Sequence, residues 1–427
     1  MRIEEAYPPF DERRPWRPTP DPELTRAVAA ILEDVQRRGD AAVLDATARF
    51  DGHHAPSMAA LRVTPDELAA AWARLPVSLR EALRRSADNI RTFHERQREV
   101  GYEERDPDGS WRALRVQPLE RVGVYVPGGR AAYPSSVLMN VVPAVVAGVP
   151  DIVLVVPAPG GARSDAVLGA AHLAGATEVW AIGGAQAVAA LAFGTESIRP
   201  VDKIVGPGNR YVTEAKRQVF GTVAIDGLAG PTEVLVIADA TAPPRYVAAD
   251  LLAQAEHDPD AEAILVTPDR RLAEAVRREL AALVERSPRA AVVRVSLAAH
   301  GRVVLVPDMD AAVAWANRRA PEHLELLVAD PEAWLPKIRH AGAVFLGVNT
   351  PEPVGDYLAG PNHVLPTGGT ARWASPLGVY DFIKRSSVLR YSRERLVRDA
   401  PAILALAEAE GLSGHADAVR VRLEASA

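Results

Sequence analysis

Residues 122–129, VGVYVPGG, join a short β-branched run to a glycine turn. Val122 to Val126 is too short for a helix and rich in residues that fit a pleated strand, and the turn puts flexible backbone at the strand's carboxyl end. Similar runs recur at Asp151 to Val156, Glu178 to Ile182, Asp202 to Val205 and Val223 to Ile225, with helical stretches between them. This alternation predicts βαβ units around a parallel sheet. A second series begins near Glu233 to Ala238 and continues at Ala263 to Val266, Arg302 to Val306, Leu324 to Val328 and Ala343 to Leu346. The fold class is therefore α/β, with two tandem doubly wound, incomplete Rossmann-like modules. No clear residue-level repeat relates them.

Working outward, residues 1–20 are charged and proline-rich and read as an arm. Asp21-Pro22 looks like a helix cap with a first-turn proline, Gly39 like its stop, and Thr64-Pro65-Asp66-Glu67 like a capping box. These signals give the division expected here: a helical region at 21–120 packing on the second module, α/β modules at 121–231 and 232–370, and a small helical tail at 371–427. The Gly- and Pro-rich stretch after Gly347 is long enough to be functional or disordered.

Composition narrows the function. A chain of 427 residues with 48% hydrophobic content exceeds a single core, and a net charge of −6 disfavours non-specific binding to nucleic acid or a membrane surface. The amino terminus has no apolar leader pattern, and the apolar stretch around Val137 to Val149 is broken by Asn140 and Pro143. A soluble, cytoplasmic protein acting on a small molecule is the expectation. There is no cysteine, which removes disulfides, thiolate zinc clusters and covalent thiol catalysis.

Three glycine turns, VYVPGG (124–129), IGGAQA (182–187) and VGPGNRY (205–211), follow successive strands of the first module. Each is ordinary alone and none is the GxGxxG fingerprint, but the set points to a nucleotide-type ligand. Polar candidates lie elsewhere. RAPEHLEL sets Glu322 beside His323 after Pro321, and both can reach one site only if they lie in the turn, since neighbours in a strand face opposite ways. DLLAQAEHD puts Gln254 and His257 three apart at a helix end, VGDYLAGPNH carries Asp356 and His363, and AEAEGLSGH carries Glu408, Glu410 and His415. Gln254, Asp356, His257 and His415 would make a mixed nitrogen and oxygen set suited to zinc or a similar divalent ion, although spacing alone does not select them from ten His and 55 acids.

From about residue 20 onward the chain resembles the histidinol dehydrogenase family. The likeness is carried by VGVYVPGG, IGGAQAVAALAFGTE, KIVGPGNRYVTEAKRQV, DGLAGPTEVLVIAD, DLLAQAEHDPDA, RAPEHLEL, GDYLAGPNHVLPTGGTAR and EGLSGHADAVRVR, in that order. The resemblance implies NAD-dependent oxidation of L-histidinol through bound L-histidinal to L-histidine, the final step of histidine biosynthesis. It implies one Zn2+ per subunit on Gln254, His257, Asp356 and His415, with Glu322 and His323 catalytic. NAD contacts are implied at Tyr125, Gln186 and Asn209, and substrate contacts at Thr232, Gln254, His257, His323, Asp356, Glu410 and His415. A homodimer with shared active sites is implied as well. Thr232 departs from the serine usual in the family. With no cysteine, hydration of the aldehyde is the natural route to the acid. A metal-dependent hydrolase would leave the glycine turns without a ligand, and a non-catalytic metal-stabilised assembly protein would explain only the metal set.

Overall fold

The computed structural model describes residues 1–8, 10, 21–128 and 133–424. They form two compact units, one of residues 1–98 and 119–382, the other of 99–118 and 383–427. The larger unit contains two six-stranded sheets. In the first, Glu178–Trp180, Asp151–Val155, Arg121–Tyr125, Lys203–Val205 and Ala224–Ile225 run parallel side by side, and Arg62–Val63 adds an antiparallel edge. In the second, Arg302–Leu305, Glu262–Thr267, Glu233–Ala238, His323–Leu327 and Ala343–Leu346 repeat the arrangement. Both sheets begin in the middle, wind outward to one edge and then restart beside the first strand. Each therefore has a switch point where the strand order reverses, the position at which open α/β sheets form crevices.

Several expectations change. Arg2–Glu5, read as part of an arm, is a parallel edge strand against Arg302–Leu305. Its RIEE sequence has a single apolar residue, so period-2 alternation gives no signal, as is usual at a charged sheet edge. Residues 9 and 11–20 lie outside the described residues. The helices before residue 98 pack mainly on the first module, where packing on the second was expected, although Val77–Glu95 also donates from Ser86 Oγ to Tyr357 O at 2.6 Å and from Asn89 Nδ2 to Leu358 O at 2.7 Å. Pro22–Arg38 packs on Gly184–Phe193 and Arg210–Val219, Pro65–Arg74 on Asp165–Ala174, and Val77–Glu95 on Pro134–Ala147. The physical reason is that Gly184–Phe193 and Pro134–Ala147 are buried along most of their length, so they need partners on the side away from the sheet. The cap at Asp21, the stop at Gly39 and the capping box at Thr64 form as read.

Residues 102–118, expected to be helical, form the strands Tyr102–Arg105 and Trp111–Pro118, which pair antiparallel with each other and with Ile383–Arg390. The smaller unit thus combines this sheet with the helices Arg393–Ala409 and Ser413–Glu424, and its carboxyl-terminal segment begins at Ile383, later than the expected 371. No helix among the described residues is long and apolar enough to cross a membrane.

The switch-point turn of the first module is held tightly. Gly206 N donates to Asp226 Oδ2 at 2.7 Å, Lys216 Nζ donates to Gly206 O at 2.9 Å, and Lys216 pairs with Asp226. Gly206 has φ +105°, and a Cβ there would stand 2.1 Å from Tyr125 O. Gly206→Ala should therefore cost about 2–3 kcal/mol, read as a lower denaturation midpoint. An unchanged midpoint would mean that the turn relaxes without strain.

Candidate functional site

At the switch point of the second sheet, polar groups gather at the amino ends of the strands. Glu322 occupies a bend after Pro321, and His323 is the first residue of His323–Leu327, so the turn brings adjacent residues to one place. Parallel pairing sets His323 beside Val234. Glu322 Oε2 then accepts from Thr232 Oγ1 at 2.7 Å and from Glu233 N at 2.8 Å. His323 Nδ1 lies 3.0 Å from Glu233 O. A carbonyl only accepts, so Nδ1 carries a proton here, and Nε2 holds a free lone pair when the ring is neutral. Nε2 is buried without a partner.

The electrostatics are those of a crowded anionic site. Burial opposes a charged His323, but the carboxylates of Glu352, Glu322 and Asp356 outweigh it and raise the imidazole to about 9. Loss of water pushes the Glu322 carboxyl above its ordinary value and Glu352 up to about 7. Glu352 Oε1 stands 3.9 Å from His323 Nδ1, and Glu322 Oε2 stands 3.6 Å from it.

Beside this pair, Gln254 closes the helix Pro244–Ala255. It is wholly buried, yet neither its Oε1 nor its Nε2 has a partner. His257 lies just beyond the helix end and is exposed, its Nδ1 3.3 Å from Gln254 O. His257, Glu352 and Asp356 each offer a ligand atom, all within 4.8 Å of one another. The orphaned Gln254 oxygen and this imidazole and carboxylate set fit a divalent cation. His363 Nδ1 packs 3.1 Å from Asp356 O.

Sequence reasoning missed Glu352. It lies four residues before Asp356 on the short helix Glu352–Tyr357, inside a stretch read as loop, and the i, i+4 spacing of two acids after Pro351 was the available signal. It also missed Glu325, an acid inside the otherwise apolar strand HLELL.

The first module carries a cavity of about 1220 Å³ at the carboxyl edge of its sheet, lined by Tyr125, Gly128, Gly184, Gln186 and Asn209 among others. Gly129 lies outside the described residues. The buried Tyr125 hydroxyl accepts from Gly184 N at 3.1 Å, tying two glycine turns together. Burial drives that hydroxyl up to about 12, so it stays neutral. Both amide atoms of buried Gln186 are unpartnered, and Asn209 caps the helix Arg210–Val219 through Tyr211 N and Val212 N. Size and unsatisfied polar groups fit a dinucleotide. Glu410 and His415 belong to the smaller unit, where both are exposed, Glu410 capping Arg393–Ala409 and His415 in the first turn of Ser413–Glu424.

A buried, unpartnered histidine nitrogen beside two carboxylates, a side-chain set that fits a divalent cation and a dinucleotide-sized cavity all lie in one α/β unit, an arrangement suited to an enzyme. The histidinol dehydrogenase family model matches residues 17–423. The chain is 51% identical to the histidinol dehydrogenase of Chromobacterium violaceum over 99% of both chains, and 50% identical to that of Pseudomonas aeruginosa over 99% of this chain and 97% of that one. A crystal structure of histidinol dehydrogenase from Elizabethkingia anophelis superposes with a TM-score of 0.90 at 37% identity, covering 99% of this chain and 98% of that one. The chain belongs to the histidinol dehydrogenase family.

The carboxylates around His323 have a measurable consequence. Glu352→Gln removes an anion that stabilises the imidazolium, so the His323 ring, followed by NMR in the cation-free protein, should titrate at lower pH. A pair worth ~1.4 kcal/mol moves the midpoint by about one unit. A midpoint that stays put or rises would exclude Glu352 as a source of the shift.

Proposed function

We propose that this protein oxidises L-histidinol through bound L-histidinal to L-histidine, the final step of histidine biosynthesis. The observation that carries the reading is the unpartnered Nε2 of His323, fixed by Glu233 O and flanked by Glu322. Gln254, His257 and Asp356, completed by His415 of the partner subunit, would hold a zinc ion that anchors the substrate's nitrogens, and two NAD, each taken up near Tyr125, Gln186 and Asn209, would accept the two hydrides. Thr232, His323 and Asp356, with Glu410 of the partner subunit, would line the substrate.

The chain's own residues then do acid–base work. His323 Nε2 takes the alcohol proton as the carbon loses hydride, giving the aldehyde. Glu322 removes a proton from water as its oxygen adds to the aldehyde carbon, while His323 returns its proton to the carbonyl oxygen, giving the gem-diol and a neutral imidazole. His323 takes a hydroxyl proton of the diol as the second hydride leaves, giving the acid. The balance is one water consumed, two hydrides transferred and two protons released, one from Glu322 and one from His323. The raised His323 value means that the free enzyme holds this ring protonated near neutrality, and a cation in the neighbouring set would favour the neutral, proton-accepting form. A hydrolase reading leaves the first-module cavity unused.

Glu322→Gln tests the division of labour. The amide oxygen can still accept from Thr232 and Glu233, so geometry is kept while the base is lost. Histidinal oxidation should fall about 100-fold or more, and histidinol oxidation less than tenfold. Equal losses would reject Glu322 as the water activator.

The shared site is tested by subunit exchange. His257→Ala and His415→Ala dimers, each inactive, are mixed and exchange is verified by mass. A mixed dimer gathers both lesions in one site and leaves the other intact, so about a quarter of all sites should recover. No recovery would place His415 in its own chain's site or outside any site.

A further inference from the structure

The helix Met309–Arg319 leads into the turn of Glu322 and His323, and its last residue is a buried arginine. The chain then passes through Ala320, whose φ of +51° is the one left-handed value among the described non-glycine residues. A side chain in that region carries strain, which persists only where the surroundings over-determine the turn. Ala320 N closes the helix by donating to Ala316 O at 2.7 Å. Arg319 adds a second tie. Its Nε donates to Glu262 Oε2 at 3.0 Å, its Nη2 donates to the same oxygen, and Nη2 stands 3.0 Å from Glu233 Oε2 as a charge pair outside hydrogen-bonding angles. Glu233 and Glu262 are register partners at the first residues of neighbouring parallel strands, so their side chains leave the sheet side by side on one face. Like charges placed there would push the strand ends apart, and the guanidinium between them offsets the repulsion. The same strand ends hold the site. Glu262 N donates to Thr232 O at 2.9 Å, Glu233 N donates to Glu322 Oε2 at 2.8 Å, and Glu233 O lies 3.0 Å from His323 Nδ1.

We propose that Arg319 is a positioning residue for the reaction: its guanidinium fastens the strained turn that carries Glu322 and His323 to the first residues of Glu233–Ala238 and Glu262–Thr267, so that both groups meet the substrate in one fixed geometry. The inference rests on the roles given to Glu322 and His323 in the preceding section. Arg319 reaches them from two sides, along the chain through Ala320 and Pro321 and across the sheet through the Glu233 main chain. A reacting group displaced by about 1 Å can lose about 100-fold in rate. Groups held by other elements are spared. Gln254 closes Pro244–Ala255, Asp356 lies on Glu352–Tyr357, and Tyr125, Gln186 and Asn209 line the cavity of the first module. Loss of Arg319 therefore acts on turnover and leaves cation and dinucleotide affinity in place.

The experiment uses the full-length protein below the denaturation midpoint of every variant. Rates of histidinol and histidinal oxidation are measured with Zn2+ and NAD saturating, Zn2+ affinity is read against a chromophoric chelator, and NAD binding is followed by calorimetry. Arg319→Met keeps the apolar stem and should lower kcat about tenfold or more in both oxidations, with both affinities within about threefold of the wild type. Arg319→Lys keeps a charge that reaches one acid at a time, and its kcat should exceed that of the methionine variant by about threefold or more. A smaller loss in Arg319→Met would overturn the proposal, and so would a lysine variant no better than methionine. A fall in Zn2+ and NAD affinity as large as that in kcat would also overturn it, because the arginine would then support the whole unit and not the turn. If Arg319→Met does not fold, Glu233→Gln decides. Its amide oxygen can still accept from Gly368 N, as Glu233 Oε1 does at 2.5 Å, while the charge facing Arg319 is gone. Its kcat should fall about fivefold or more at kept affinities, and an unchanged kcat overturns the proposal. A wild type that oxidises neither histidinol nor histidinal would instead overturn the functional reading, a different result from any of these.

Discussion

The peptide between Thr232 and Glu233 and the carbonyl that follows it carry the site. Parallel register sets Val234 against His323, and from that register Glu233 N reaches Glu322 while Glu233 O reaches His323. A slip of one residue would send His323 to the opposite face of the sheet, into the cluster of Leu324 and Leu326. The Glu233 side chain is itself anchored, 3.0 Å from Arg319 Nη2. Glu322 and His323 are therefore positioned by main-chain pairing, which is stiffer than any contact between flexible side chains.

The two modules share a strand order but use opposite edges. In the first, the glycine turns open the carboxyl edge, where helices begin and their free N–H groups suit the phosphates of a dinucleotide. In the second, the site lies at the amino edge, where the helix Pro244–Ala255 ends at Gln254. Helix ends present carbonyl oxygens and negative potential, which suits a cation and a protonatable imidazole. One topology thus offers an edge suited to anions and an edge suited to cations within the same unit.

The amino edge accumulates Glu322, Glu352 and Asp356 around a single histidine. Without a counter-ion these carboxyls meet both desolvation and one another, and this is why Glu352 and Glu322 hold protons more tightly than exposed acids do. A divalent ion in the set with His257 would relieve the repulsion and release His323 toward its neutral form. Metal and base would then be coupled through the carboxylates between them.

Strand positions in both modules, the caps at Asp21 and Thr64 and the three glycine turns were legible in the chain itself, because each is written within a few neighbouring residues. Glu322 beside His323 after a proline and Gln254 three before His257 were visible as local pairs. The edge strand Arg2–Glu5, the strands between Tyr102 and Pro118, the module that the early helices cover and the gathering of Glu352 with Asp356 and His257 were not. Those depend on which distant segments lose water together: His323 meets Glu233 across 90 residues, and Glu352 meets Glu325 across 27. Periodicity reports which face of an element is apolar, whereas a carboxyl becomes part of a site only when the tertiary structure closes over it and leaves a neighbouring acid, a proton or a cation as its remaining partner.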